Sequence, residues 1–188
     1  EAFESADGGD VDLGARLAHR EAEARFLLGD LEGAAAALES DHPEAGPMER
    51  GRVAATRARL ALGTRQLERG QALAEEARTL FGAYLDGAAE RDGAQWTLAS
   101  AHPTDVAAVR NGLAREALAR KDVGIAALMR QEPREAVRHL KAAHEAFLGT
   151  VGAGHQELYG LRLFTARALR SRELPDEALT WYLGALQH

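Results

Sequence analysis

Small residues twelve positions apart occur as a pair four times in this chain, with a short polar stretch between the two members. The pairs are Ala22 with Ala34, Ala58 with Gly70, Gly124 with Ala136, and Ala166 with Ala178. Apolar residues at helical spacing flank every pair, so each copy predicts two α-helices joined by a turn. A small residue at a crossing lets two helix backbones pack closely. Because one hairpin alone cannot bury its apolar face, the four copies indicate a stacked array of helical hairpins.

The five prolines support this division, because each lies where a helix is expected to begin. Proline is tolerated in the first helical turn, where its missing N–H would have no partner. The hairpins are predicted over 11–40, 47–91, 103–149 and 156–187, with a loop at 92–102. Residues 1–10 predict an acidic flexible linker, and residues 11–188 predict a single all-α domain. Since the chain begins at Glu1 without a methionine, we expect a segment of a longer polypeptide.

Composition argues against several classes of function. The net charge of −6 argues against a duplex-binding surface, which needs a concentrated positive field. The chain has no cysteine, which excludes disulfides and thiolate chemistry. No apolar run approaches the roughly 20 residues that a membrane helix needs, and no signal-peptide pattern is present. We therefore expect a soluble, cytoplasmic protein without nucleic-acid or membrane partners, and the bias towards arginine over lysine suggests a bacterial source.

No pattern of an active site or a metal site is visible along the chain. His139 and His144 are five positions apart, about 140° out of phase on a helix, so they do not converge. Glu135 and His139 do share a face but supply only two ligands. The glycines are scattered singly, unlike a phosphate-binding loop. The sequence therefore predicts no enzymatic activity, no cofactor and no metal.

The turns and the helices that follow them resemble the tetratricopeptide repeat (TPR) family. Its motif has a small residue late in the first helix, a turn with glycine or a polar residue, and an apolar residue three positions before an alanine in the second helix. The matching segments are Gly29-Asp30-Leu31-Glu32-Gly33-Ala34, Gln131-Glu132-Pro133-Arg134-Glu135-Ala136 and Glu173-Leu174-Pro175-Asp176-Glu177-Ala178. The 42-residue step between the last two copies is similar to the longer repeats of kinesin light chains and bacterial signalling proteins.

The resemblance implies a right-handed superhelix of about four hairpins whose first helices form a concave, peptide-binding face. The residues that map to this face are Arg16, His19, Glu23, Arg52, Arg59, Lys121, Arg167 and Arg170. Most of them are basic, which favours a positive groove for an acidic partner segment. The alternative is that they are ordinary solvated arginines of an arginine-rich chain.

The sequence thus predicts a non-catalytic scaffold for protein–protein interaction. The resemblance suggests the docking or regulatory part of a bacterial signalling protein, attached for example to a Ser/Thr kinase or a transcriptional regulator. Two alternatives remain. One is a conformational switch that senses a peptide. The other is self-association through the terminal repeats, where Leu183 and Leu186 could leave apolar surface exposed.

Overall fold

The computed structural model describes residues 6–40, 42–92, 95–101 and 105–186. Over these ranges the chain forms eight α-helices and one two-stranded antiparallel hairpin. The elements are α1 Ala6–Leu27, α2 Leu31–Ala37, α3 Pro47–Gly63, α4 Leu67–Ala88, β1 Ala89–Asp92, β2 Gln95–Ala101, α5 Val106–Met129, α6 Pro133–Val151, α7 Glu157–Arg170 and α8 Pro175–Leu186. The predicted helical class is confirmed, and consecutive helix pairs occupy the four predicted hairpins in order.

The chain divides into two compact units, Glu1–Tyr84 and Leu85–His188, and each is described by itself. In the first unit, a core cluster joins α1 to α3 through Ala15, Ala22, Leu38, Ala45 and Val53. In the second, α5 to α8 pack around a cluster that includes Leu140, Phe147, Leu158, Leu161 and Leu169. The single domain predicted over 11–188 stays a prediction.

The four turns between paired helices share one backbone geometry. In each, the residue seven positions after the first small residue has a positive φ: Gly29 at 81°, Arg65 at 60°, Gln131 at 63° and Glu173 at 60°. The next N–H donates to the carbonyl five residues earlier, at 2.8–3.1 Å: Asp30 to Arg25, Gln66 to Ala61, Glu132 to Ala127 and Leu174 to Leu169. This combination is the Schellman arrangement that ends a helix. The turns therefore lie in one register relative to the small-residue pairs, as a structural repeat requires.

All eight small residues of the four pairs are buried. Gly70 and Gly124 occupy positions where an added Cβ would overlap a neighbouring leucine side chain. A Cβ on Gly70 would lie 2.6 Å from Leu62 Cδ2, and a Cβ on Gly124 would lie 2.7 Å from Leu140 Cγ. These contacts join α3 to α4 and α5 to α6, so both glycines mark close approaches of two helices.

The amino-terminal prediction differs from the structure. Helix α1 begins at Ala6, so the linker predicted over 1–10 is wrong for residues 6–10, and residues 1–5 lie outside the described ranges. A helix dipole favours negative charge near the N-terminus of a helix. The acidic composition that suggested a linker is therefore equally suited to a helix start.

The loop predicted over 92–102 is also wrong, since β2 occupies most of it. The strands pair antiparallel, with Arg91 opposite Trp96. Aromatic and β-branched residues such as Trp96 and Thr97 favour strands, whereas the loop prediction depended on the Asp92-Gly93 turn signal. The indole Nε1 of Trp96 donates to Asp86 Oδ1 at 3.0 Å, which ties the strand to the end of α4. Residues 93–94 and 102–104 lie outside the described residues.

We expect the substitution Gln131→Gly to raise the free energy of unfolding by about 0.5–1 kcal/mol. A side chain in the left-handed region costs roughly 1–2 kcal/mol, and the greater backbone entropy of glycine offsets part of the gain. Urea denaturation of Gln131→Gly and of Gly29→Ala, which places a side chain in the equivalent turn, measures both effects. The first should stabilise and the second destabilise. A less stable Gln131→Gly variant would contradict the shared turn geometry.

Candidate functional site

The residues predicted to line the concave face divide between the two units. Those of the first unit lie on α1 and α3 at spacings of three, four or seven, so each set shares one helix face. The structure brings these two faces together and adds two residues of α3, Glu49 and Thr56. The resulting α1–α3 polar seam consists of Arg16, His19, Glu23, Glu49, Arg52, Thr56 and Arg59.

Glu49 lies at one end of the seam, between Arg16 and Arg52, and is 4% exposed. Its carboxylate accepts from Arg16 Nε at 2.9 Å and from Arg52 Nη1 at 3.1 Å. A buried carboxylate stays ionised only when charged donors compensate its lost hydration. Sequence reasoning missed Glu49, although a carboxylate three residues before Arg52 on the same helix was a usable signal.

His19 forms the middle of the seam and is 1% exposed. Its Nδ1 lies 2.9 Å from Thr56 Oγ1, and the Thr56 hydroxyl donates to the Arg52 carbonyl at 3.1 Å. Because that hydroxyl has a single hydrogen, we assign the proton of the His19–Thr56 bond to Nδ1. His19 therefore joins α1 to α3 as a donor within the seam.

Glu23 and Arg59 form the other end of the seam. Arg59 Nη1 lies 3.5 Å from Glu23 Oε1, and Arg20 Nη1 lies 3.6 Å from Glu23 Oε2. Together with the contacts of Glu49, each predicted arginine of the first unit therefore faces a carboxylate of the same chain. This pairing weakens the hypothesis that the first unit presents a positive groove to an acidic ligand.

The three predicted residues of the second unit differ in their contacts. Lys121 on α5 pairs with Glu157 at the start of α7, with Nζ 2.7 Å from Oε2. Arg167 and Arg170 lie in the last turn of α7 and are exposed. Arg167 lies over the Phe164 ring, 5.6 Å from its centroid. Arg170 has no ion pair within the part of the chain that the structure describes, so this turn offers positive charge beside an aromatic ring.

A groove of about 610 Å³ opens between α2, α3 and α4 in the first unit. Its lining residues are Leu31, Glu32, Ala35, Leu38, Glu39, Arg57, Leu60, Ala61, Thr64, Gln66, Arg69 and Leu73. We call it the α2–α4 groove. Sequence reasoning did not identify it, because a groove depends on how separate helices pack. It lies beside α2, a helix of only seven residues.

His144 occupies a structural position in the second unit. Burial lowers the pKa of His144, and the neighbouring Arg162 guanidinium lowers it further. Arg162 Nε donates to His144 Nε2 at 3.3 Å, and the Trp181 ring meets the imidazole edge-on at 4.9 Å between centroids. A neutral imidazole suits the acceptor role, so His144 joins α6 to α7 and α8.

Glu135 and His139, considered above as two metal ligands, form polar contacts within the chain. Arg138 Nε donates to Glu135 Oε2 at 3.0 Å and lowers the pKa of that carboxyl group. His139 Nε2 lies 3.8 Å from the same oxygen. Among the residues with described side chains, no three His, Cys, Asp or Glu residues are placed to hold a metal ion.

No protein-family model matches the chain, and no curated protein sequence matches it either. None of the helices in the described ranges combines the length and the apolarity that a membrane crossing requires. Inference about function therefore depends on the geometry of the chain itself.

We expect Glu49→Ala to lower the free energy of unfolding by about 2 kcal/mol, because it removes charge-assisted hydrogen bonds to a buried carboxylate. Glu23→Ala is the matched control on α1. Its carboxylate is more exposed and its contacts are longer, so we expect a loss under about 1 kcal/mol. Urea denaturation compares the two variants. An equal or smaller loss for Glu49→Ala would show that the seam does not depend on that carboxylate.

Proposed function

We propose that this chain is a non-catalytic helical-repeat module that binds a segment of a partner protein. The observation that carries the proposal is the common register of four Schellman turns and four buried small-residue pairs. Repeats of helical hairpins stack into extended surfaces, and such surfaces serve mainly for protein recognition. The TPR-like, right-handed superhelix is the finer form of this proposal.

The last turn of α7 is the binding surface that we propose for an acidic segment. Arg167 and Arg170 are exposed there, and Phe164 provides an apolar face beneath the guanidinium of Arg167. Guanidinium groups bind carboxylates through paired, charge-assisted hydrogen bonds. A partner segment with carboxylates next to an apolar side chain would complement both features.

We expect the double variant Arg167→Glu/Arg170→Glu to weaken the binding of glutamate-rich peptides by about tenfold or more, equivalent to 1.4 kcal/mol. The control is the double variant Arg110→Glu/Arg134→Glu, which makes the same change of net charge at two other exposed arginines of the same unit. Fluorescence anisotropy with a labelled panel of glutamate-rich peptides at fixed salt measures the dissociation constants. Equal losses of affinity for both variants would show that net charge alone explains the effect, and would exclude the last turn of α7 as the binding surface.

A second candidate function, self-association, is favoured by the exposed face of α8. Leu179, Leu183 and Leu186 follow helical spacing and are 56%, 51% and 78% exposed. Contiguous apolar surface of this kind commonly marks an interaction site. The serine/threonine kinase or regulator context, the peptide-sensing switch, the bacterial source and the cytoplasmic location stay predictions.

Under self-association, we expect the wild-type chain to form concentration-dependent oligomers and Leu183→Glu to be monomeric, because the carboxylate would lose its hydration in the contact. Sedimentation equilibrium over a range of concentrations measures this. The control is Leu17→Glu on α1, which changes another exposed leucine. A wild-type chain that is monomeric at all concentrations would exclude this candidate.

A further inference from the structure

The α2–α4 groove combines apolar lining with charged rims. Leu31, Leu38, Leu60 and Leu73 supply the apolar part. Just before α2 in the sequence, Leu27 and Leu28 are 79% and 85% exposed. Exposed apolar surface rimmed by polar residues is typical of protein interaction sites.

The rim formed by α2 and the residues just after it is acidic. Glu32 and Glu39 line the groove from this side, and both are exposed. Neither carboxylate has an ion-pair partner within the described ranges. The α2 side of the groove therefore carries two negative charges that are open to a ligand.

The opposite side of the groove carries arginines that already have contacts. Arg57 donates through Nε to the Leu38 carbonyl at 3.1 Å, and Arg69 donates through Nη1 to Gln66 Oε1 at 3.1 Å. The Arg57 contact anchors the end of α2 to α3. The two sides of the groove thus carry opposite charges, and the acidic side chains have fewer contacts within the chain than the arginines.

The equivalent positions of the second unit are occupied by an ion pair. Lys141, five residues after Ala136, forms an ion pair with Glu177, which directly precedes Ala178, and this pair ties α6 to α8. In the same register of the first unit stand Glu39, five residues after Ala34, and Arg69, which directly precedes Gly70.

Glu39 and Arg69 carry the reverse charges of that pair, and neither ion-pairs with any described residue. Helix α6 has 19 residues, whereas α2 has seven. At the place where α6 and α8 are tied together in the second unit, the first unit therefore has a groove beside the short α2.

We propose that the α2–α4 groove binds one amphipathic α-helix of a partner protein, with leucine-sized side chains in the groove and basic residues facing Glu32 and Glu39. A helix in an apolar groove presents anchors at positions i, i+3 or i+4, and i+7. Lysine or arginine beside these anchors would pair with the two open carboxylates. The ligand is basic and the surface lies in the first unit, so this binding is independent of the acidic ligand proposed for α7.

Two tryptophan substitutions on one helix test the groove. Ala35 and Ala36 are both exposed on α2, but only Ala35 lines the groove. The probe is a labelled Leu/Ala peptide of about 15 residues, a length at which isolated helices begin to persist. Its leucines follow i, i+4, i+7 spacing, with lysines flanking one edge. By anisotropy, Ala35→Trp should weaken binding about tenfold or more, whereas Ala36→Trp should leave it within about twofold.

A charge reversal tests the orientation of the ligand and changes only an exposed side chain, so it holds even if Ala35→Trp disturbs α2. Glu39→Lys should weaken the lysine-edged peptide about fivefold or more and strengthen a peptide of the same sequence with glutamate in place of lysine. Glu44→Lys, an exposed carboxylate outside the groove, is the charge-matched control and should change neither.

Four results would overturn the proposal: no binding of the lysine-edged peptide, equal binding of a peptide with scrambled leucine positions, equal losses for Ala35→Trp and Ala36→Trp, or equal effects of Glu39→Lys and Glu44→Lys. Sedimentation equilibrium without peptide tests whether a second copy of the chain occupies the groove instead. If the chain forms dimers that Ala35→Trp abolishes, a second copy fills the groove and the partner helix is excluded. None of these variants touches α7, so the outcome is distinct from that of the acidic-peptide test.

Discussion

Close contact between paired helices at small residues is the constraint on which the rest of the structure depends. Gly124 meets Leu140 so closely that even one added carbon would collide with it, and Gly70 meets Leu62 in the same way. The larger side chains around each crossing can then interdigitate at native density. The turn must return the chain at the right angle, which explains why all four turns share one left-handed residue and one hydrogen-bond pattern.

Contacts between successive hairpins are polar as well as apolar. Three ion pairs each join residues 36 positions apart in consecutive hairpins: Glu23 with Arg59, Lys121 with Glu157, and Lys141 with Glu177. Pairs of this exposure contribute little free energy, so apolar burial must supply most of the stability. Their effect on hairpin register is larger, because a misplaced hairpin would separate the paired charges. The buried Glu49 would likewise lose the hydrogen bond that Arg16 donates from the neighbouring hairpin.

The two units offer surfaces of different chemistry. In the first, the arginines that the sequence suggested for ligand binding are paired with carboxylates, and the open charges are the acidic residues of the α2–α4 groove. In the second, Lys141 and Glu177 close the corresponding position, while Arg167 and Arg170 remain exposed at the end of α7. A single repeat pattern can therefore support different ligands, because differences in helix length and charge sign decide which groups stay free.

The helices, their pairing and the register of the turns could be predicted from the sequence alone. These features depend on local signals: the period of the apolar residues, the prolines at helix starts and the small residues at fixed spacing. Local signals conflicted at two places, and the prediction was wrong at both. The acidic segment at the start of α1 suits either a linker or a helix start, and the strand that contains Trp96 follows the Asp92-Gly93 turn signal. Only the tertiary structure decided which arginines of the first unit pair across α1 and α3, that Glu49 is buried, and that a groove lies beside the short α2. The contacts that join α1 to α3 are between distant residues, since Arg16 and Glu49 are 33 positions apart and Glu23 and Arg59 are 36 apart. No local pattern specifies which of these side chains will meet once the hairpins stack.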